Sequence, residues 1–150
     1  MKQTAIRSDL LTIGGVLTVD FRYHVPQYQR NFSWTQDGVQ QLWTDLIDAI
    51  DEDRPEYFLG SIVVHETRED KLRIVIDGQQ RLACLSMILS AIRTVYRENS
   101  DDRDQEVFGD YLGVKDRRTR TVEPRMKLNV LNEPVFQGAV VENIADKELG

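Results

Sequence analysis

Two stretches of apolar residues recur at the spacing of an α-helix with two short apolar runs between them, and this order most restricts the fold open to the chain. In the first stretch Val39, Leu42, Trp43, Leu46, Ile47 and Ile50 follow the i, i+3, i+4, i+7, i+8, i+11 series, which gathers them into one stripe of an amphipathic helix. Ser33 with Gln36, or Thr35 with Asp37, supplies its start, and Pro55 marks its end. In the second stretch Leu82, Leu85, Ile88, Leu89, Ile92, Val95 and Tyr96 continue the same period from Gln80 until Asn99-Ser100-Asp101-Asp102. Between the two, Phe58 to Val64 and Leu72 to Ile76 read as strands, and the charged turn Glu66 to Asp70 joins them as a hairpin. Helix, hairpin and helix predict an α+β fold, a small mixed sheet with packed helices. Trp34 and Trp43 are expected in its core.

The remaining segments carry weaker patterns. Ile6, Leu10, Leu11 and Ile13 suggest a helical turn stopped by Gly14 and Gly15, and Val16 to Val25 suggests one or two strands ending before Pro26. Ser100 to Gln105 is expected to be a surface loop, Met126 to Leu131 a strand, and Asn132-Glu133-Pro134 the opening of a helix. The organisation predicted is a core over residues 1–100 and, over 101–150, a basic loop and the start of a following helical region that the chain truncates.

Charge and composition narrow the function classes. Lys and Arg number 19 against 25 Asp and Glu, a net charge of −6 that excludes a uniformly basic nucleic-acid glove. Locally, however, Lys115, Arg117, Arg118, Arg120, Arg125 and Lys127 face only Asp116 and Glu123. A single cysteine, Cys84, forbids an internal disulfide, and with His24 and His65 as the only histidines a Cys/His zinc cage cannot be assembled. Cys84 falls on the apolar side of the second helix and reads as core. No run approaches the roughly eighteen apolar residues of a membrane span, so a cytoplasmic protein without membrane contact is expected.

Chemistry concentrates at Val75-Ile76-Asp77-Gly78-Gln79-Gln80-Arg81-Leu82, where an apolar strand gives way to a helix through five polar or glycine residues. Gly78 permits a tight turn or the close approach of another backbone, and the first N–H groups of the helix offer an anion site. Arg81 brings a planar fork suited to phosphate, and Asp77 a carboxylate suited to a metal or to orienting water. Gln79 and Gln80 suit a sugar, a base or an attacking water. The plainer alternative is that Asp77 caps the helix and Arg81 forms a surface salt bridge. In a second segment, Pro26-Gln27-Tyr28-Gln29-Arg30, the hydrogen-bonding side chains of Tyr28, Gln29 and Arg30 precede the first helix with no evident packing role.

Taken together the two segments resemble a known family. Val25-Pro26-Gln27-Tyr28-Gln29-Arg30-Asn31-Phe32-Ser33-Trp34 is similar to its Ile-Pro-x-Tyr-Gln-Arg-x-Tyr/Phe-x-Trp pattern, and Ile76-Asp77-Gly78-Gln79-Gln80-Arg81-Leu82 to its Asp-Gly-Gln-Gln-Arg-Leu signature. Phe58-Leu59-Gly60-Ser61-Ile62-Val63-Val64 resembles the family between them. The family is that of the N-terminal domains of GmrSD-type restriction enzymes and related SspE-like phage-defence proteins, and the likeness runs from about Leu10 to Asn99.

That resemblance implies a ParB/sulfiredoxin-like fold and a domain that binds and hydrolyses a nucleoside triphosphate, with Mg²⁺, in a system acting on modified foreign DNA. Asp77, Gln80 and Arg81 would be catalytic, with Asp77 also the metal ligand. Gly78, Gln79, Arg30, Gly60 and Ser61 would bind nucleotide. Modified DNA would meet Tyr28, Gln29 and Arg30, with Arg117, Arg118 and Arg120 holding its backbone. The alternative is a non-catalytic module that senses modified DNA or nucleotide. Where the family usually continues Leu-Thr-Thr-Leu, this chain has Leu82-Ala83-Cys84-Leu85, and loss of both hydroxyls would weaken hydrolysis if they hold phosphate or metal. An HNH nuclease needs several histidines and none follows His65, so cleavage is expected of a C-terminal nuclease domain or subunit absent from this chain.

Overall fold

A computed structural model describes residues 6–17, 21–28, 33, 35–69, 71–115, 119–129, 136 and 140. Four strands form one mixed sheet in the order β2-β3-β1-β6, where β1 is Arg22–His24, β2 Val63–Glu66, β3 Leu72–Asp77 and β6 Met126–Lys127. β2 and β3 are the antiparallel hairpin, whereas β1 runs parallel to both β3 and β6. Around the sheet lie α1 (Ile13–Leu17), α2 (Gln36–Asp51), α3 (Gln79–Glu98) and α4 (Arg103–Val107), and β4 (Gly113–Lys115) pairs with β5 (Val122–Pro124) in a separate ribbon. The arrangement is an α+β fold.

Alternation along the strands decides which residues enter the core. Tyr23 and Val25 of the β1 region, Val75 of β3 and Met126 of β6 are buried in one cluster with Leu82, Ala83 and Leu85 of α3. The cluster also includes Leu17, Leu112, Phe136 and Val140, so residues beyond 100 contribute to the same core as those before it. Tyr23 is kept in place by its hydroxyl, which donates to the Val16 carbonyl at 2.5 Å and ties β1 to α1. Burial pushes the Cys84 thiol up to about 11, so it is a protonated packing group at neutral pH.

Several local expectations are corrected. Gly14 and Gly15 do not stop a turn but lie inside α1, because the Thr12 hydroxyl accepts from the Gly15 N–H at 2.9 Å and caps the helix one turn later than expected. Val16 and Leu17 are therefore helical, and the strand shrinks to Arg22–His24. The predicted strand from Phe58 begins only at Val63, since Gly60 at φ +114° breaks extended geometry before it. Residues 103–105 are helical, not loop: α4 and a π-helical turn, Phe108–Leu112, pack on α3, where buried Arg93 donates to the Asp104 carbonyl at 3.3 Å and faces the Phe108 ring at 4.7 Å. The predicted strand from Met126 is only the two residues of β6. The helix expected from Asn132 and the place of Trp34 lie outside the described residues.

The start of α2 holds as expected at Thr35, whose hydroxyl accepts from the Gly38 N–H at 3.4 Å. Trp43 is another correction. It is 50% exposed, because the apolar stripe of α2 is wider than the face that the rest of the domain covers, and Leu42 is the helix's buried residue.

The opposite sheet face predicts a pH effect. Partly buried His24 sits in register with Ile74 and Lys127, and burial first, then Lys127 and Arg22, lower its pKa below the usual 6.5. The folded state thus binds this proton less readily than the unfolded chain, so the stability it contributes is present above about pH 6.5 and is lost as pH falls toward the lowered value. Replacing His24 by Gln should flatten the decline in urea midpoint below about pH 6.5. An unchanged slope would show that His24 does not govern it.

Candidate functional site

The loop after β3 is built by one left-handed residue. Asp77 ends the strand opposite Val63 across a bulge in the β2 register, and Gly78, at φ +87°, turns the chain directly into α3. A β-carbon at Gly78 would lie 3.0 Å from Ile62 Cγ1 and 3.1 Å from the Ser61 carbonyl oxygen, so the loop is pressed against the 60–62 segment. Gly78, the N-cap residue of α3, has no side chain with which to cap it. Twenty residues of helix stand behind this turn, and a helix N-terminus favours negative charge.

Arg81 lies on the first turn and is fixed from two sides. Its Nη1 donates to the Ser61 carbonyl at 3.0 Å. The guanidinium also rests on Gly60, where a β-carbon would come within 2.6 Å of Arg81 Cζ. Gly60 is therefore required twice, for its φ of +114° and for the space that the guanidinium fills. One donor of the fork is committed to Ser61, and the planar group is held beside the helix N-terminus instead of ranging through solvent.

Gln79 and Gln80 are both buried. The Gln80 Oε1 accepts from the Ser33 backbone N–H at 3.2 Å, joining the signature loop to the end of the aromatic segment 47 residues earlier. Asp77 is exposed at the strand end. Among the described residues no group of three or more His, Cys, Asp or Glu is placed to hold a metal ion. Asp77 would serve Mg²⁺ as a single carboxylate, the number such an ion takes when substrate phosphates and water fill its remaining positions.

The structure thus brings Gly60, Ser61, Gly78, Gln80 and Arg81 into one neighbourhood, with Asp77 at its edge. Two further participants are not among the predicted site residues. Ser33 acts through its backbone, and Ile62 forms the wall against Gly78.

A family model for the GmrSD restriction endonuclease N-terminal domain matches residues 13–145. The chain belongs to this family. No curated protein matches it. As a GmrSD N-terminal domain it is a component of a restriction or phage-defence system, whose nuclease domain lies elsewhere. Among the described residues no helix is long and apolar enough to cross a membrane.

Of the other predicted site residues of this GmrSD domain, Tyr28 and Arg120 are described. Tyr28 is 79% exposed on a turn following Pro26, whereas Gln29, Arg30, Arg117 and Arg118 lie outside the described residues. Arg120 is exposed, with a left-handed backbone at φ +59°. The basic stretch is smaller than its sequence suggests. Arg125 is buried and donates to the Gly109 carbonyl at 2.6 Å, while Lys127 is partly buried on β6. Arg125 therefore holds the π-helical turn to the sheet and is withdrawn from any phosphate-binding surface. Ala83 and Cys84, where the family pattern has hydroxyls, are buried in α3 with no exposure to the loop surface.

Proposed function

We propose that this domain binds a nucleoside triphosphate at the Asp77–Arg81 loop and hydrolyses it, coupling turnover to recognition of modified foreign DNA. The observation that carries this reading is the joining, at one tight turn, of the N-terminus of the 20-residue α3 with a guanidinium fixed by Gly60 and Ser61. Both groups favour negative charge, and neither needs to reorganise when a phosphate arrives. A ParB-like nucleotide-binding core is part of the same reading.

In this mechanism the α3 N–H groups and Arg81 hold the phosphates, and Arg81 offsets charge developing on the transferred group. Asp77 orients the attacking water, or holds Mg²⁺, whose chemistry when bound is to neutralise phosphate charge. Gln80 accepts from the Ser33 N–H, and in this reading Tyr28 and Arg30, which precede Ser33 in the chain, meet a base or modified DNA. The Ala83 and Cys84 departures fall in the core, so they leave the exposed loop intact. DNA cleavage is assigned to a nuclease partner.

A second reading, binding without turnover, is favoured by one contact: the Gln80 oxygen already accepts from the Ser33 N–H, a structural bond. Phosphate release from ATP, GTP, CTP and UTP, measured for the wild type and Asp77→Ala, separates the two. Release that falls at least tenfold in Asp77→Ala supports hydrolysis at this loop. Triphosphate binding with no release supports the sensing module, and release indifferent to Asp77 removes the loop from the chemistry.

A further inference from the structure

The open flank of α2 carries an apolar seam. Trp43, Ile47 and Ile50 follow i, i+4 and i+7 and lie within about 60° of one another around the helix. This seam is displaced from the face carrying buried Leu42: Trp43 is half exposed and Ile50 is 70% exposed. Apolar residues therefore continue around α2 past the point where the domain stops covering them. An edge of carboxylates runs beside the seam, formed by Asp37, Asp48 and Asp51, and α2 contains no Lys or Arg. The next cation in the chain, Arg54, is already paired with Glu52 at 2.5 Å.

We propose that this seam receives an amphipathic helix of a partner protein whose apolar stripe is flanked by Lys or Arg. The apolar seam supplies burial and the acidic edge sets the sign of the partner. The same edge disfavours nucleic acid and anionic membranes. It also disfavours a second copy of this chain, because antiparallel pairing through the seam brings the two acidic edges together. The surface is separate from the Asp77–Arg81 loop, and its test does not depend on nucleotide chemistry.

The full chain is titrated with two synthetic three-heptad helices that share Leu at the seam positions and carry either Lys or Glu at the flanking positions. Binding is read from Trp fluorescence and by calorimetry. The Lys-flanked helix should bind, and the Glu-flanked helix should bind at least tenfold more weakly. Ile50→Ser should weaken the Lys-flanked complex about tenfold. Asp48→Asn with Asp51→Asn should remove most of its salt dependence. Ile50 is exposed, so its variant is expected to melt as the wild type does, and a matching melt is required before its binding is compared. Equal binding of both helices, no binding of the Lys-flanked helix, or binding untouched by Ile50→Ser would overturn the proposal. A dimer of the free chain in sedimentation that Ile50→Ser dissolves would assign the seam to a second copy and overturn it equally.

Discussion

Replacing Arg81 by alanine should lower triphosphate hydrolysis about a hundredfold, the cost of removing a positioned charge that acts on the transition state. The expectation follows from how Arg81 is held. Its Nη1 donates to the Ser61 carbonyl, and its guanidinium lies on Gly60, so its position is set before ligand arrives. A fixed cation contributes more to a transition state than a mobile one because no ordering cost falls on the reacting complex. Arg81→Lys should recover only a small part of the rate. Lysine restores the charge but lacks the planar fork with which one edge bonds Ser61 while the others meet phosphate. Steady-state phosphate release combined with a direct binding measurement distinguishes roles: a loss confined to affinity makes Arg81 a binding group alone. A rate unchanged in Arg81→Ala would sink the mechanism at this loop, leaving the docking seam on α2 unaffected.

Gly78→Ala should both destabilise the domain and abolish ligand binding at the loop. Two costs coincide there. An L-residue at φ +87° pays about 1–2 kcal/mol for the left-handed backbone. Its β-carbon would also stand 3.1 Å from Ile62 Cα and from the Ser61 carbonyl oxygen, which are backbone atoms of the neighbouring segment and cannot swing aside like a side chain. The combined loss of about 2–3 kcal/mol should lower the melting temperature by roughly 5–10 °C in a domain of this size. Gly78→Asn tests the division, since asparagine tolerates the left-handed region yet carries the same β-carbon. Asn recovering most of the stability would show that backbone conformation dominates, and Asn matching Ala would show that the contact does. A Gly78→Ala variant that melts with the wild type would contradict the close approach of the 60–62 segment.

Legibility in the sequence followed the range of the interaction that fixes each element. α2, α3 and the β2–β3 hairpin were readable because apolar periodicity and turn composition act over a few residues. α1 was displaced because one Thr12 hydroxyl outweighed the expected stop at Gly14 and Gly15. The start of α4, within Ser100 to Gln105, reads as loop in the sequence because what orders it, Arg93 meeting Asp104 and Phe108, joins two separate helical segments. For the site, the residue types of the Asp77–Arg81 loop stood out because polar groups between a buried strand and a helix are costly without a role. Their mutual placement did not.

By itself the sequence determined the α+β class, the strand-to-helix turn at Gly78 and, through two long motifs in order, the GmrSD family. These depend on local propensity and on residue identity at short spacing. Only the tertiary structure decided which half of α2's stripe stays open, that Arg125 is buried as a support for Gly109, and that Gln80 reaches Ser33. It also placed β6 beside β1 and Leu112 in the core. Each of these is a pairing between distant segments, and the identity of a residue does not reveal which surface will arrive to cover it.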